Sequence, residues 1–521
     1  MKASMVENAA GRSVPLEVNG REQLPFAGVG QLPPSGRHVS APIRSRDAYP
    51  NDGNKVVHDG LRAALERAGL RDGMTLSTHH HLRNGDFVAN MVLEAAASLG
   101  VKDLMWFPSA SFPCHEPMIQ HMESGVLHHI EGSMNGPLGD YASRGKMRGL
   151  GVLRSHGGRW QAIQDGEVHV DIAVIAAPAA DAFGNANGAR GPSACGSLGF
   201  ALADSMWADH VIVVTDNLEP FPCVPWQIQG NHVDQVVVVE RIGDPSKIVS
   251  GTTQITRSPD RLLIAEYTAR FIQDAGIMRE GFSFQAGAGG IALAFVASLK
   301  EMMKDAGVKA RFVRGGSTRY LVELLENGLT DFILDGQTFD LDGVRSIHEN
   351  PRHVATSPFT SYNDHGKGNF ASLVDAVVLG ATEVDVHFNA NVVTHSDGRL
   401  LHGIGGWQNC LYSGCTILAV PSFRDRIPVI VDSVTTLVGP SELIDVVVTE
   451  RGIAVNPRRK DLVDALSRNK SKLPLRTLDE IRRDVERLCG GKPALPKLGD
   501  RPIAVVKWVD GSLLDTVWQV L

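Results

Sequence analysis

The chain has 521 residues, 43% of them hydrophobic, with 51 basic against 58 acidic side chains and a formal charge of -7. That size allows two hydrophobic cores, and the mildly acidic balance argues against a nucleic-acid-binding surface. The six cysteines form no CxxC pair and suit a reduced, cytoplasmic setting, and no run of 18 apolar residues exists that would span a membrane.

Residues 1–54 are rich in Pro, Gly, Ser and charge, lack a signal-peptide apolar core, and read as a partly ordered arm, with an untethered tail equally open. An amphipathic helix is predicted over Gly60 to Ala68, then a strand Met74 to Thr78, a helix Phe87 to Ser98 and a strand Asp103 to Phe107. Val168 to Ala177 and Val211 to Thr215 are unbroken apolar runs, as expected of strands covered on both faces. A boundary near Thr256 to Pro259 divides a first domain, 55–257, from a second, 258–521. The second opens with a helix Arg261 to Ala275, a strand Phe282 to Ala286 and a further helical run to Met303. Near the other end, Pro502 to Val506 reads as a strand that returns to a sheet.

The two domains repeat one another. Ala68-Gly69, Gly73-Met-Thr-Leu and Gly100-Val101-Lys102 recur as Ala275-Gly276, Gly281-Phe-Ser-Phe and Gly307-Val308-Lys309, about 207 residues on. Asn185-Ala186-Asn187 recurs as Asn389-Ala390-Asn391 after a similar Val-Asp strand. So long a period marks a duplicated domain rather than a solenoid. Strand–helix–strand order predicts an α/β fold: two open, mostly parallel sheets with flanking helices and a cleft between them.

The copies differ most where the first strand meets its helix. In the first copy that loop is His79-His80-His81-Leu82-Arg83-Asn84-Gly85-Asp86, whose guanidinium and imidazoles suit carboxylates. Adjacent histidines diverge, and no second ligand cluster accompanies them, so a metal site is not favoured. A capped helix start explains Asn84 or Asp86 equally well. In the second copy the loop is Gly287-Ala288-Gly289-Gly290, a loose match to the dinucleotide fingerprint. The following strand ends Arg311-Phe-Val-Arg314 without the acid that holds a ribose. Close helix–sheet packing and an NAD(P) site both remain open for it. Gly403-Ile404-Gly405-Gly406 follows a predicted hairpin at His395 to Arg399, and its backbone amides suit an oxyanion. His115-Glu116-Pro117 and His348-Glu349 are poor zincin starts, and no G-x-S-x-G elbow is present.

The duplicated unit, Val170-Asp171-Ile-Ala-Val, Asp181-Ala-Phe-Gly184-Asn185 and Gly403-Ile-Gly405-Gly406 resemble the CoA-transferase superfamily. Within it, the His79 to Asp86 loop, Phe388-Asn389-Ala390-Asn391 and Asp510-Gly511 resemble the citrate lyase alpha subunit family, over nearly the whole chain. The resemblance implies a cytoplasmic bacterial transferase of several copies. It would exchange acetyl for citryl on a thioester, with a beta subunit that cleaves the product and a gamma subunit that carries the phosphoribosyl-dephospho-CoA arm. A CoA thioester would serve as substrate in its place, with no covalently bound cofactor and no metal. Many superfamily members carry an acyl-accepting glutamate after the second strand of the second domain; Lys309 to Ser317 has no carboxylate there. Citrate would then attack the thioester directly. From loop position, His79, His80, His81 and Arg83 are expected to hold citrate, and Gly405 and Gly406 the oxyanion. Gly287, Gly289 and Gly290 would take a phosphate of the arm, with Arg311 and Arg314 as reserve cations. Citramalate in place of citrate, an NAD(P)-dependent oxidoreductase and a docking scaffold are the alternatives.

Overall fold

The structure, a computed structural model, describes residues 4–31, 38–43, 53–249 and 254–521. The remainder of the predicted arm, 1–3, 32–37 and 44–52, lies outside the described residues.

Two parallel sheets carry the molecule. The first has six strands in the order Gln235–Val238, His210–Thr215, Ile172–Ala176, Thr75–Thr78, Leu104–Pro108 and Leu127–Ile130. The second has eight, in the order His353–Ala355, Thr330–Thr338, Ala310–Ser317, Ser283–Ala286, Ala376–Leu379, Thr416–Ala419, Val446–Thr449 and Gly452–Val455. All neighbours are parallel except the last pair. In both, the chain starts mid-sheet, adds strands outward on one side, then jumps to the other side of its first strand. The order therefore reverses beside Thr75–Thr78 and beside Ser283–Ala286, and the crevice at such a reversal is where open α/β sheets take ligands. The His79 loop and the Gly287 loop follow those two strands.

Helices cover the sheets with apolar stripes. Val88–Ser98 buries Val88, Val92, Leu93 and Ala96, one face of a 3.6-residue period. Gly290–Ala306 buries Leu293, Val296, Leu299 and Met303 and stops at Gly307, whose φ of 63° is the left-handed C-terminal stop.

The duplication extends to two small sheets. Ala179–Asp181 pairs antiparallel with Ala186–Asn187 and parallel with Leu218–Glu219. Glu383–Asp385 pairs in the same way with Ala390–Asn391 and Ile430–Val431. The Asp-x-x-x-Asn turns explain the repeated motif. Asp181 Oδ1 accepts the amides of Phe183, Gly184 and Asn185, and Asp385 Oδ1 those of His387 and Asn389. The Asn185 and Asn389 amides each donate back to the second carboxylate oxygen, at 2.8 and 3.0 Å.

Both ends of the described chain return to the first lobe. The hairpin Leu498–Lys507 and Leu513–Val520 adds Leu498–Lys507 in parallel to Gly151–Leu153. Residues 4–26 pack on that hairpin: Asn8 Nδ2 donates to the carbonyls of Leu513 and Leu514, and Val14 and Val18 share a small core with Val152, Val505 and Leu513. Among the described residues no helix is long and apolar enough to cross a membrane.

A candidate active site between the lobes

A cavity of about 580 Å³ opens where the two switch-point loops face each other. The first lobe contributes His80, Arg83, Ser109, Arg154 and His156, and the second contributes Ala288, Gln337 and the Gly403–Gly405 loop. A smaller cavity of about 190 Å³, bordered by Gly287, Gly406, Tyr362 and Cys410, shares His156, Ala288, Gln337, Phe339 and Ile404 with it. The two adjoin as one stepped cleft. A third cavity of about 800 Å³, between Phe359, Tyr412 and Trp508, has Asp364 and Asp510 in its wall beside Lys367. That balance does not favour an anion.

The histidine triplet, just past the end of strand Thr75–Thr78, splits between the cleft and the lobe interior, which corrects the expectation that all three hold substrate. His79 and His81 are turned into the first lobe, stacked with ring centroids 5.7 Å apart, and line neither cavity of the cleft. His79 Nε2 lies 3.1 Å from Asp204, which also takes a two-pronged contact from Arg159 at 2.7 Å on each oxygen. Burial holds His81 well below its usual range. His80 points the other way. Gln337 Nε2 donates to the His80 carbonyl at 3.2 Å, so its Oε1, 3.0 Å from His80 Nε2, accepts. The ring proton therefore sits on Nε2, and Nδ1 accepts from Ser109 Oγ at 2.6 Å. His80 thus ties the lobes together.

The imidazoles of the cleft are neutral at pH 7. Burial, then the neighbouring His156, keeps His80 well below its normal range, and burial, then Arg159, holds His156 at about 3. The positive charge comes from arginines. Arg83 occupies a short turn at φ 52°, over the Phe339 ring at 4.4 Å, and burial lowers it only to about 10. Arg154 reaches Glu131 at 2.5 Å and Glu167 at 2.8 Å, while its buried Nε has no hydrogen-bond partner among the described residues. Glu131 is the one carboxylate in the walls of either cleft cavity among the described residues, and ion pairs with Arg21 and Arg154 occupy it.

Gly405 has φ 65°, and its carbonyl accepts the His156 amide at 2.8 Å. This joins the glycine loop to the N-terminus of helix His156–Gln164, which Ser155 caps by accepting from Gly158. The loop is glycine-rich because its surroundings press close on it. A Cβ on Gly403 would lie 2.4 Å from Ser133 Cβ across the lobes, and one on Gly406 would lie 2.8 Å from the Tyr362 ring within the second lobe. Gly287 borders the smaller cavity, but its amide donates to the Val378 carbonyl at 3.0 Å. Gly289 and Gly290 line neither cleft cavity; the Gly290 carbonyl accepts from Thr256.

The reserve cations separate. Arg311 is exposed near the start of strand Ala310–Ser317, the end away from the cleft, so the structure does not bring it to the site. Arg314 is fully buried behind the smaller cavity, donating to Gln285 Oε1 at 2.7 Å and lying 4.5 Å over the Tyr362 ring. Arg154, His156, Ser109 and Gln337 were not singled out from the sequence. Ser155-His156-Gly157-Gly158 is a readable helix start, but its meeting with Gly405 links positions too far apart in the chain to be read from it.

The cleft can hold a polyanion against Arg83 and Arg154 with water partly excluded, beside neutral hydrogen-bonding imidazoles. The citrate lyase, alpha subunit (CitF) family model matches residues 53–520. The citrate lyase alpha chain of Klebsiella pneumoniae is 41% identical over 469 residues, covering 89% of this chain and 92% of that one. The Haemophilus influenzae protein of the same name is 41% identical over 462 residues, covering 88% and 92%. A crystal structure described as a citrate lyase alpha subunit in complex with citrate, from Streptococcus mutans, superposes with a TM-score of 0.93 at 39% identity, covering 99% of this chain and all of that one. The malonate decarboxylase hetero-tetramer of a Pseudomonas, at 18% identity and a TM-score of 0.61 over 87% of this chain and 95% of that one, shares the fold.

Proposed function

The chain belongs to the citrate lyase alpha subunit family, a transferase component of a multi-subunit complex, and on that premise we propose that its cleft binds citrate beside an acetyl thioester. Two arginines, Arg83 and Arg154, and the Gly403–Gly405 loop line one cavity, and this single observation carries the reading. The citrate-bound relative from Streptococcus mutans supports it.

Citrate carboxylates are ionised at neutral pH, so the nucleophile needs no general base. A citrate carboxylate oxygen attacks the acetyl carbonyl, forming a mixed anhydride as the C–S bond breaks and thiolate leaves. The thiolate then attacks the citryl carbonyl of the anhydride, and acetate departs with the bridging oxygen. The protein contributes proximity and charge: Arg83 and Arg154 hold the anion, and backbone amides near Gly405 and Gly406 meet the tetrahedral oxyanion. A phosphate of the arm would meet the Gly287, Gly289 and Gly290 loop only at its outer end, because the Gly287 amide is engaged by the Val378 carbonyl and Gly289 and Gly290 line neither cavity. Direct attack is supported by the absence of a spare carboxylate in the cleft among the described residues, since Glu131 is ion-paired. The carrier thioester of a gamma subunit and a beta subunit that consumes the citryl thioester are the partners this chemistry requires.

The full chain mixed with acetyl-CoA and citrate should form citryl-CoA and acetate in equal amounts. Hydroxylamine trapping after acetyl-CoA alone should leave no modified side chain. No exchange under any condition would end the transferase reading, and a trapped glutamate would replace direct attack with a covalent route.

A further inference from the structure

Glu131 sits, fully buried, in the wall of a cavity suited to anions. Left alone, its charge would repel a carboxylate substrate. What offsets that charge comes from the N-terminal segment. Arg21 forms an ion pair with Glu131 and donates from Nη1 to the Glu167 carbonyl at 3.1 Å. Beyond it the network continues through Arg154, Glu167 and Lys507, which reaches Glu167 at 2.7 Å. Three cations stand against two carboxylates, so one positive charge is in excess behind the cavity. Without Arg21 the group is neutral.

The sequence around Arg21 is built to aim it. Strands Glu17–Val18 and Arg21–Glu22 are joined by Asn19 and Gly20, at φ 50° and 78°. Two left-handed residues make the tight hairpin turn for which Asn-Gly is favoured. Asn19 then locks the turn to the first lobe by exchanging two hydrogen bonds with Leu150, at 2.9 and 2.8 Å. A hairpin held at its tip sets Arg21 with little freedom left to lose when the ion pair forms.

We propose that the Asn19-Gly20 hairpin is a working part of the anion site, with Arg21 as a positioning residue that offsets the Glu131 charge in the cavity wall and leaves the network behind it net positive toward the substrate carboxylates. The proposal rests on the citrate-binding reading above. Arg21 touches Glu131, not the cavity, so its effect falls on the anion and not on the thioester.

Citrate is titrated into the full chain by calorimetry, and its KM and the acetyl-CoA KM are measured in the exchange assay. Arg21→Gln should weaken citrate about tenfold and leave the acetyl-CoA KM within about twofold, the size of effect one partly buried charge produces. Arg21→Lys should recover most of the loss. Arg21→Gln/Glu131→Gln should return citrate to within about threefold of the parent, because removing both charges restores the balance. Asn19→Ala, which changes no charge, should weaken citrate in the same direction. Equal losses for citrate and acetyl-CoA, or a double variant no better than Arg21→Gln, would overturn the proposal. Failure of the unaltered chain to bind citrate would instead remove the functional reading itself.

Discussion

At the scale of single residues, the site depends on which side chains keep a charge. Arg83 stays protonated across the physiological range because burial lowers it only to about 10. Arg83→Ala removes a charged hydrogen-bonding partner worth about 1.5–3 kcal/mol, so the citrate KM should rise roughly ten- to a hundredfold in the exchange assay. Citrate affinity should fall in two steps, first as Lys507, which burial lowers to about 8, loses its proton and with it the excess charge behind the cavity, and again as pH approaches 10. Asp204 serves a different purpose. It lies under Arg159 and His79, and these outweigh the burial that would otherwise raise its carboxyl. Asp204→Asn leaves a buried guanidinium unpaired and should lower stability by about 3–5 kcal/mol in denaturant melts. Arg83 was legible in the sequence from its loop. The roles of His79 and His81 were not. What hid them was Asp204, more than a hundred residues further along the chain.

At the scale of elements, the cleft is a meeting of loop and helix end. Gly403 touches Ser133 across the lobes, and Gly403→Ala would put a methyl where no gap exists. Overpacking of this kind costs about 1–3 kcal/mol, and separation of the lobes should reduce turnover more than it reduces Tm. The check is kcat beside a thermal melt; a large fall in Tm with kcat retained would count against the interlobe role. The duplicated strand–loop–helix units were readable, because glycines and apolar runs recur at one spacing and Asp181 and Asp385 cap equivalent turns. The purpose of the Gly287 loop was less readable. Its sequence resembles a phosphate loop, but the Gly287 amide binds the neighbouring strand, a tertiary hydrogen bond that local pattern does not encode.

At the scale of the whole molecule, charge joins segments remote in sequence. Burial opposes ionisation of Glu167, but Arg154 and Lys507 outweigh it and bring its carboxyl down to about 2 from an ordinary 4.5. A depressed carboxylate contributes stability above its unfolded pKa and loses it as pH falls through the folded one. Stability should therefore drop between pH 4.5 and 2, and Glu167→Gln should flatten that part of the curve in acid titrations followed by circular dichroism. None of this was legible in residues 1–54, where no periodicity marks Arg21 and its partners Glu131 and Glu167 lie in bends more than a hundred residues down the chain. The pairing of Gly151–Leu153 with Ala504–Val506 has a last consequence. Each lobe can assemble its own sheet from neighbours in the chain, but this seam needs both lobes already formed, since long-range strand pairing carries a large closure entropy. Maturation thus has an order, with a clasp that fastens late. During refolding, far-ultraviolet signal should return before citrate binding does, and the interval between them is when the molecule is most exposed to mispairing.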